Sequence, residues 1–334
     1  MVRGRFAPSP TGDLHPGNAR TALLAWLQVR AAGGTFVMRV EDLDRGRVRP
    51  GLMEAQLLDL RWLGLDWDEG PDVGGPHAPY LQSQRQDRYE DALGRLGEKG
   101  HLFACGCSRK DIAAASSAPH AGDDEGPRYP GSCRDLSAGE LRGRQHALRF
   151  RAPAKPVAFT DLVHGPVVYK PADETGDFVV RRKDGVASYQ LAVVVDDSAM
   201  EITHVLRGAD LLPSTARQIL LYRALGLAEP AWLHVPLLLG PDGERLSKRH
   251  GSVALREIRE AGAEPEALVG WLAATCGLAE PGEACTPHEL IGRFSAGDLS
   301  RESTLLSAPG ESSTGGNAPQ EAFGTLPREG QSDE

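Results

Sequence analysis

Apolar and polar positions along this chain switch between a strand period and a helix period. Residues 3–7 read as a short strand, and residues 17–31 repeat at helical spacing, with Ala22, Leu23, Trp26 and Leu27 on one face. Gly33-Gly34 closes that helix as a C-cap, and Thr35-Phe36-Val37-Met38-Arg39-Val40 is a second strand. The three form a βαβ unit, whose crossover is right-handed. Sheets of this kind bind ligands beyond the carboxyl ends of their strands, where the loop 8–15 and Glu41 fall.

Further along, the pattern predicts helices over 54–64 and 85–99, with a Gly/Pro-rich loop at 71–79 between them. Strand-like pieces follow as far as Tyr169. Leu191-Ala192-Val193-Val194-Val195 is a continuous apolar run, the expectation for a buried parallel strand. Residues 203–207 are the next strand, and 214–225 a helix with Ser214 or Thr215 near its N-cap. The predicted fold class is α/β. A Rossmann-type nucleotide-binding domain over 1–71 and 189–251 is split by an insertion at 72–188, and a short helical segment follows at 252–299. Residues 300–334 are dominated by Gly, Ser, Pro, Glu and Thr. Such a tail buries too little apolar surface to offset its ordering entropy, so it is expected to be disordered.

Composition narrows the class. The 334 residues are 40% hydrophobic and 25% charged, as in a soluble globular protein of two or three domains. No apolar run is long enough to span a bilayer, and the first residues carry no signal-peptide core, so the cytoplasm is the expected compartment. The net charge of -9 argues against polyanion binding through bulk charge; any RNA contact must use local basic patches. Five cysteines do not make a disulfide framework and read as metal ligands or buried thiols.

Two distant stretches carry chemistry. Arg5-Phe6-Ala7-Pro8-Ser9-Pro10-Thr11-Gly12 runs into Leu14-His15-Pro16-Gly17-Asn18, and Arg245-Leu246-Ser247-Lys248-Arg249 comes much later. A histidine on a turn that opens a helix, with a distant Ser-Lys loop, suits the phosphates of ATP. Attack on the α-phosphate builds charge on pyrophosphate, which helix-terminal N–H groups and cations stabilise. His15, Gly17, Asn18 and Lys248 are therefore the candidate ATP-handling residues, with His15 and Lys248 catalytic. A third constellation is Cys105-Gly106-Cys107 with Tyr129-Pro130-Gly131-Ser132-Cys133. Three thiolates suit tetrahedral zinc, with Tyr129, His101, His120 and Asp111 open as the fourth ligand; the alternative is three buried free thiols. Zinc would be structural in so small a subdomain.

The two stretches resemble the signatures of class I aminoacyl-tRNA synthetases, and the Arg-Phe-Ala-Pro-Ser-Pro-Thr-Gly run is similar to the glutamyl branch. The first signature departs from the usual pattern at Pro16 and Asn18. The resemblance, which spans residue 3 to about residue 290, implies that Arg5, Phe6, Ala7, Pro8 and Ser9 border the glutamate site, that Glu41 holds the α-ammonium, and that Tyr189 and Arg207 complete the pocket. Arginine forks suit a dicarboxylate, although Arg5 and Arg207 could equally be strand-end residues paired with Glu41, Asp42 or Asp210. The resemblance also selects Tyr129 as the fourth metal ligand.

Full glutamyl enzymes continue past the Ser-Lys loop into a large helical anticodon-reading region, which is not expected here. The chain thus resembles the truncated glutamyl-queuosine branch of that family. The resemblance implies ATP, magnesium and L-glutamate as ligands, and tRNA(Asp) with queuosine in its anticodon stem-loop as acceptor, with no DNA or membrane partner. Three alternatives stand beside it: a compact enzyme charging the 3′ end of tRNA(Glu), a related nucleotidyltransferase that makes a small-molecule adenylate without touching RNA, and a catalytically silent RNA-binding paralogue. Arg181, Arg182, Lys183, Arg245 and Arg249 are candidate RNA-facing residues, though 181–183 could equally be an exposed hairpin turn.

Overall fold

A computed structural model describes residues 1–108, 110–112, 128–136, 145–240, 242–244 and 253–305. The βαβ unit is there as expected. Strand β1 (Arg3–Phe6) pairs in parallel with β2 (Thr35–Met38), and α1 (Pro16–Ala31) connects them. Helix α1 is buried along most of its length around Trp26, whose indole N–H donates to Asp66 at 2.7 Å. Then come α2 (Leu52–Trp62) and α3 (Gln86–Glu98), close to the predicted spans.

Next in the chain are β3 (Leu102–Cys105), β4 (Ala147–Phe150), β5 (Val157–Asp161), β6 (Gly165–Tyr169), α4 (Pro171–Glu174) and β7 (Phe178–Arg181). They divide between two sheets. Strands β3, β4 and β7 form a small antiparallel sheet. The hairpin β5–β6 instead joins β8 (His204–Gly208) and β9 (Ala231–Val235) in a four-stranded sheet ordered β6-β5-β9-β8. Part of the span read as an insertion, 72–188, thus contributes strands to the main sheet. Its β5 pairs in parallel with β9 through Asp161 and Trp232. Strand β1 lies beside β8, with the Thr203 N–H donating to the Arg3 carbonyl at 2.9 Å.

The apolar run 191–195 is not a strand. It lies in helix α5 (Tyr189–Ala199), capped by Ser188, whose hydroxyl accepts the Leu191 N–H. A run buried on all sides has no amphipathic period, so only its cap distinguishes helix from strand. Helix α6 (Leu212–Leu225) packs on α5 and ends at Gly226, which takes φ 71°. Two cores flank the sheets. One gathers α1 and α2 with α7 (Leu255–Glu260), α8 (Pro265–Ala274) and α9 (Pro287–Leu290); the other gathers α3, α5 and α6.

The tail expectation needs correction at its start. Thr304–Leu305 forms β11, which pairs in parallel with β10 (Leu238–Leu239). The Thr304 N–H reaches the Leu237 carbonyl at 2.8 Å and its hydroxyl reaches the Thr275 carbonyl at 3.2 Å, so local hydrogen bonds outweigh the polar composition there. Residues 306–334 lie outside the described residues. Among the described residues no helix is long and apolar enough to cross a membrane.

Candidate active site

The carboxyl ends of β1, β2 and β8 converge with the start of α5. On one side, the Arg5 guanidinium donates from Nε to both oxygens of Asp197, at 3.2 and 3.3 Å, and from Nη1 to the Leu206 carbonyl. Arg39, fully buried, donates to the same Asp197 and to Glu41 at 3.2 Å. Burial alone would raise Asp197, but Arg39 and Arg5 outweigh it and hold this carboxyl below its ordinary value. For Glu41 burial prevails, and it is shifted up despite the same two arginines. Two cations and two carboxylates thus neutralise each other on this side.

Arg207, at the other side, is 4% exposed and is placed quite differently. Nε donates to His234 Nε2 at 3.0 Å, Nη1 to Gln218 at 2.8 Å, and Nη2 to Thr215 at 2.9 Å and the Leu211 carbonyl at 3.4 Å. Every one of these partners is uncharged. Among the described residues no carboxylate forms an ion pair with Arg207. Burial accordingly lowers its pKa. Its guanidinium also faces the Trp232 ring, 5.1 Å from the centroid. Gly208 follows because a Cβ there would meet the Asp210 carboxylate at 2.4 Å. Half-buried Tyr189 opens α5 close enough to feel the charges of Arg207, Glu41, Arg5 and Asp197.

The structure therefore brings Arg5, Glu41, Tyr189 and Arg207 together. Phe6 and Pro8 are buried beneath them, Ala7 is half-buried and Ser9 is exposed. The Pro8 carbonyl accepts the Glu41 N–H at 2.9 Å. Gln56 of α2 pins the loop through the carbonyls of Ser9 and Gly12 at 3.0 and 2.7 Å. Sequence reasoning missed Asp197, Gln56, Gln218 and His234. None lies in a recognisable local motif, and each acts on a residue far away in the chain.

At the start of α1, His15 is the N-cap, and its backbone N–H donates to Asn18 Oδ1 at 3.1 Å. Asn18 thus spends its oxygen on the cap and keeps its amide N–H groups as donors. A Cβ on Gly17 would stand 3.1 Å from His15 Cε1, so the glycine makes room for the imidazole rather than for the backbone. Lys248, Arg245 and Arg249 lie outside the described residues. Residues 182–185 form an exposed turn after β7, in which Arg182 pairs with Asp184 at 2.6 Å and Lys183 donates to the Gly106 carbonyl at 2.7 Å.

The cysteine cluster lies on the small sheet. The Sγ atoms of Cys105, Cys107 and Cys133 all lie within 4.8 Å of one another, and Cys107 and Cys133 are 3.5 Å apart. Thiolates 2.3 Å from a tetrahedral zinc would stand roughly 3.8 Å apart, so the three could hold a metal ion. The Tyr129 hydroxyl lies 3.5 Å from Cys105 Sγ and accepts the Cys133 N–H at 2.7 Å, with the Arg149 guanidinium 3.9 Å from the centre of its ring. Burial first, then the neighbouring thiols, pushes Cys107 up to about 12, whereas hydrogen bonds from Tyr129 and the Gly106 N–H lower Cys133 despite burial.

The chain matches the family described as tRNA synthetases class I (E and Q), catalytic domain, over residues 1–305. It is 58% identical over 313 residues to the Glutamyl-Q tRNA(Asp) synthetase of Symbiobacterium thermophilum, covering 92% of this chain and 97% of that one. It is 44% identical over 317 residues to the glutamate--tRNA ligase of the same organism, covering 90% of this chain and 63% of that one. Among solved structures, a glutamate tRNA ligase from Elizabethkingia meningosepticum in complex with its amino acid superposes with a TM-score of 0.80 at 31% identity, covering 92% of this chain and 67% of the other.

Proposed function

The chain belongs to the class I tRNA synthetases of the glutamyl and glutaminyl type, and from that premise we propose that this ligase activates glutamate with ATP and transfers it to the queuosine of tRNA(Asp). The observation that carries the glutamate half is Arg207, a buried guanidinium with uncharged partners beside Tyr189, Arg5 and Glu41. A buried cation without a counter-charge is expensive, and a substrate carboxylate would supply one. The acceptor half rests on the higher identity to a relative named for that acceptor, 58% against 44% for the charging enzyme.

The residues take these roles. Arg5, held by Asp197, lines the carboxylate side with Phe6, Ala7, Pro8 and Ser9. Glu41 receives the α-ammonium, and Tyr189 and Arg207 close around the side chain. The α-carboxylate attacks the α-phosphate of ATP, giving glutamyl-adenylate and pyrophosphate. A queuosine hydroxyl then attacks the activated carbonyl and releases AMP. His15, Gly17 and Asn18 border the triphosphate, and Lys248 supplies a cation to it. Magnesium would be held mainly by phosphates and water, neutralising the developing charge. Cys105, Cys107, Tyr129 and Cys133 would hold one zinc that fastens β3 to the segment around residue 133. The anticodon stem-loop of tRNA(Asp) is the RNA element taken, and the cytoplasm, where thiols stay reduced, is the compartment.

The test is transfer of labelled glutamate with ATP to queuosine-containing tRNA(Asp), unmodified tRNA(Asp) and tRNA(Glu), followed by nuclease mapping. Label on the anticodon nucleoside of only the first RNA is expected. Label on the 3′ adenosine of tRNA(Glu) would make this a charging enzyme, and no glutamate-dependent pyrophosphate exchange would make it a silent paralogue. For the metal, elemental analysis of protein purified without chelator should find about one zinc per chain, reduced in Cys133→Ser. Absence of metal from the unsubstituted protein would remove the site.

A further inference from the structure

Arg207 is oriented by groups that play no part in the reaction just described. His234 in β9 is completely buried, and its Nε2 accepts the Arg207 Nε–H at 3.0 Å, with the Thr215 hydroxyl also 3.0 Å away. Arginine cannot accept a hydrogen bond, so this nitrogen must carry a lone pair. Its other nitrogen, Nδ1, lies 2.7 Å from Asp161 Oδ2, where it must carry the proton. Asp161 is itself fixed. Its Oδ1 accepts the N–H groups of Val163 and His164, each at 2.9 Å, and that of His234 at 3.4 Å. The backbone thus fixes the carboxylate, the carboxylate fixes the histidine tautomer, and the tautomer fixes one edge of the Arg207 plane. The opposite edge is set by Gln218, whose amide nitrogen donates to Gln190 at 3.0 Å; Gln190 in turn donates to Ser214 at 3.0 Å. The donors run outward from Arg207, through His234 to Asp161 on one side and through Gln218 and Gln190 to Ser214 on the other, and Gln190 adjoins Tyr189 at the start of α5.

We propose that His234, locked in one tautomer by Asp161, is a positioning residue that fixes the plane of Arg207 for the substrate carboxylate. The proposal rests on Arg207 receiving glutamate, as set out above. A guanidinium recognises a carboxylate through a flat fork, so a small tilt costs affinity for the amino acid and leaves the ATP side untouched. Neither His234 nor Asp161 touches the substrate. Their effect must therefore appear in the KM for glutamate.

The experiment compares four proteins by pyrophosphate exchange and thermal unfolding: the unsubstituted enzyme, Asp161→Asn, His234→Gln and His234→Asn. In Asp161→Asn the backbone N–H groups of Val163 and His164 keep the side-chain oxygen, so the amide nitrogen faces His234. The imidazole proton then moves to Nε2 and opposes the Arg207 Nε–H. The glutamate KM should rise about tenfold or more, with the ATP KM within about twofold. Glutamine at 234 places an oxygen where Nε2 stood and can still accept from Arg207, so its KM should stay within about threefold. Asparagine there reaches Asp161 but not Arg207, and its KM should rise as in Asp161→Asn. This pair keeps the test open if Asp161→Asn does not fold. Equal KM values for His234→Gln and His234→Asn, or losses seen only as unfolding with unchanged KM, would overturn the proposal while leaving the glutamate reading intact. Absence of glutamate-dependent exchange in the unsubstituted protein would overturn both.

Discussion

The two sides of the pocket hold their arginines in opposite ways. Arg5 and Arg39 converge on Asp197, with Glu41 beside them, so charge is balanced within the protein. Arg207 lies in a cradle of histidine, glutamine, threonine and carbonyl groups that direct its N–H bonds without cancelling its charge. The first side carries its own counter-charges, whereas the second holds a cation that only neutral groups surround. A buried group retained against its own desolvation cost is a functional candidate, whereas a neutralised one is not marked in the same way.

The largest test of that contrast replaces each key group by a neutral one. Arg207→Met should lower glutamate-dependent pyrophosphate exchange by about 10²–10³-fold, because the substrate carboxylate loses its buried partner. The same variant should lose less stability than Asp197→Asn, since it removes a buried charge with its desolvation cost and leaves only neutral acceptors without a donor. Asp197→Asn should have the larger effect on stability. It leaves Arg5 and Arg39 without their shared carboxylate and should cost about 3–5 kcal/mol, read from urea unfolding. Both variants destabilising equally would show that the two sides are not different in kind.

That contrast could not be seen in the sequence. The strands 3–7 and 203–207, the helix α1 and the thiol cluster were legible because each depends on local spacing. The apolar run 191–195 was misread, although Ser188 before it is a helix-start signal that could have decided the matter. The partner of Arg5 is 192 residues away and the histidine behind Arg207 is 27 residues away. Such pairings are set by which strands become neighbours, and β5 joining β9 was not foreseen. Sequence reasoning proposed Glu41, Asp42 or Asp210 as partners for these arginines. Asp42 instead accepts from the backbone and hydroxyl of Ser83.

A smaller effect sharpens the Arg207 side. His234 is lowered from its ordinary 6.5 to about 4, mainly by burial; Asp161 pulls upward, and Arg207 and His164 add to the lowering. Between those two values the unfolded chain takes up a proton that the folded chain does not. Stability from this group is therefore complete above about pH 6.5 and falls as the pH drops toward 4, by about 3 kcal/mol in all. His234→Gln has no such proton to gain. Urea unfolding at about pH 7.5 and about pH 4.5 should show a loss roughly 2.5 kcal/mol smaller in the variant than in the unsubstituted protein. Equal losses would mean that His234 is already charged in the fold, and its lone pair could not then face Arg207.

The smallest expected effect lies at the start of α1 and extends the contrast to the ATP side. Gly17 sits in the first turn of the helix with ordinary helical backbone, so alanine there should leave stability unchanged or raise it by less than about 1 kcal/mol. Its Cβ would stand 3.1 Å from His15 Cε1 and 3.2 Å from Nδ1, and the imidazole must shift by a few tenths of an ångström. If His15 borders the triphosphate, Gly17→Ala should raise the ATP KM about two- to fivefold, less than about 1 kcal/mol. The glutamate KM should not move, because the arginine cradle belongs to β8, β9 and α6 rather than to α1. A glutamate KM that rose with the ATP KM would mean that the helix start and the cradle form one unit, and the separation between a neutralised side, a charged side and a phosphate side would not hold.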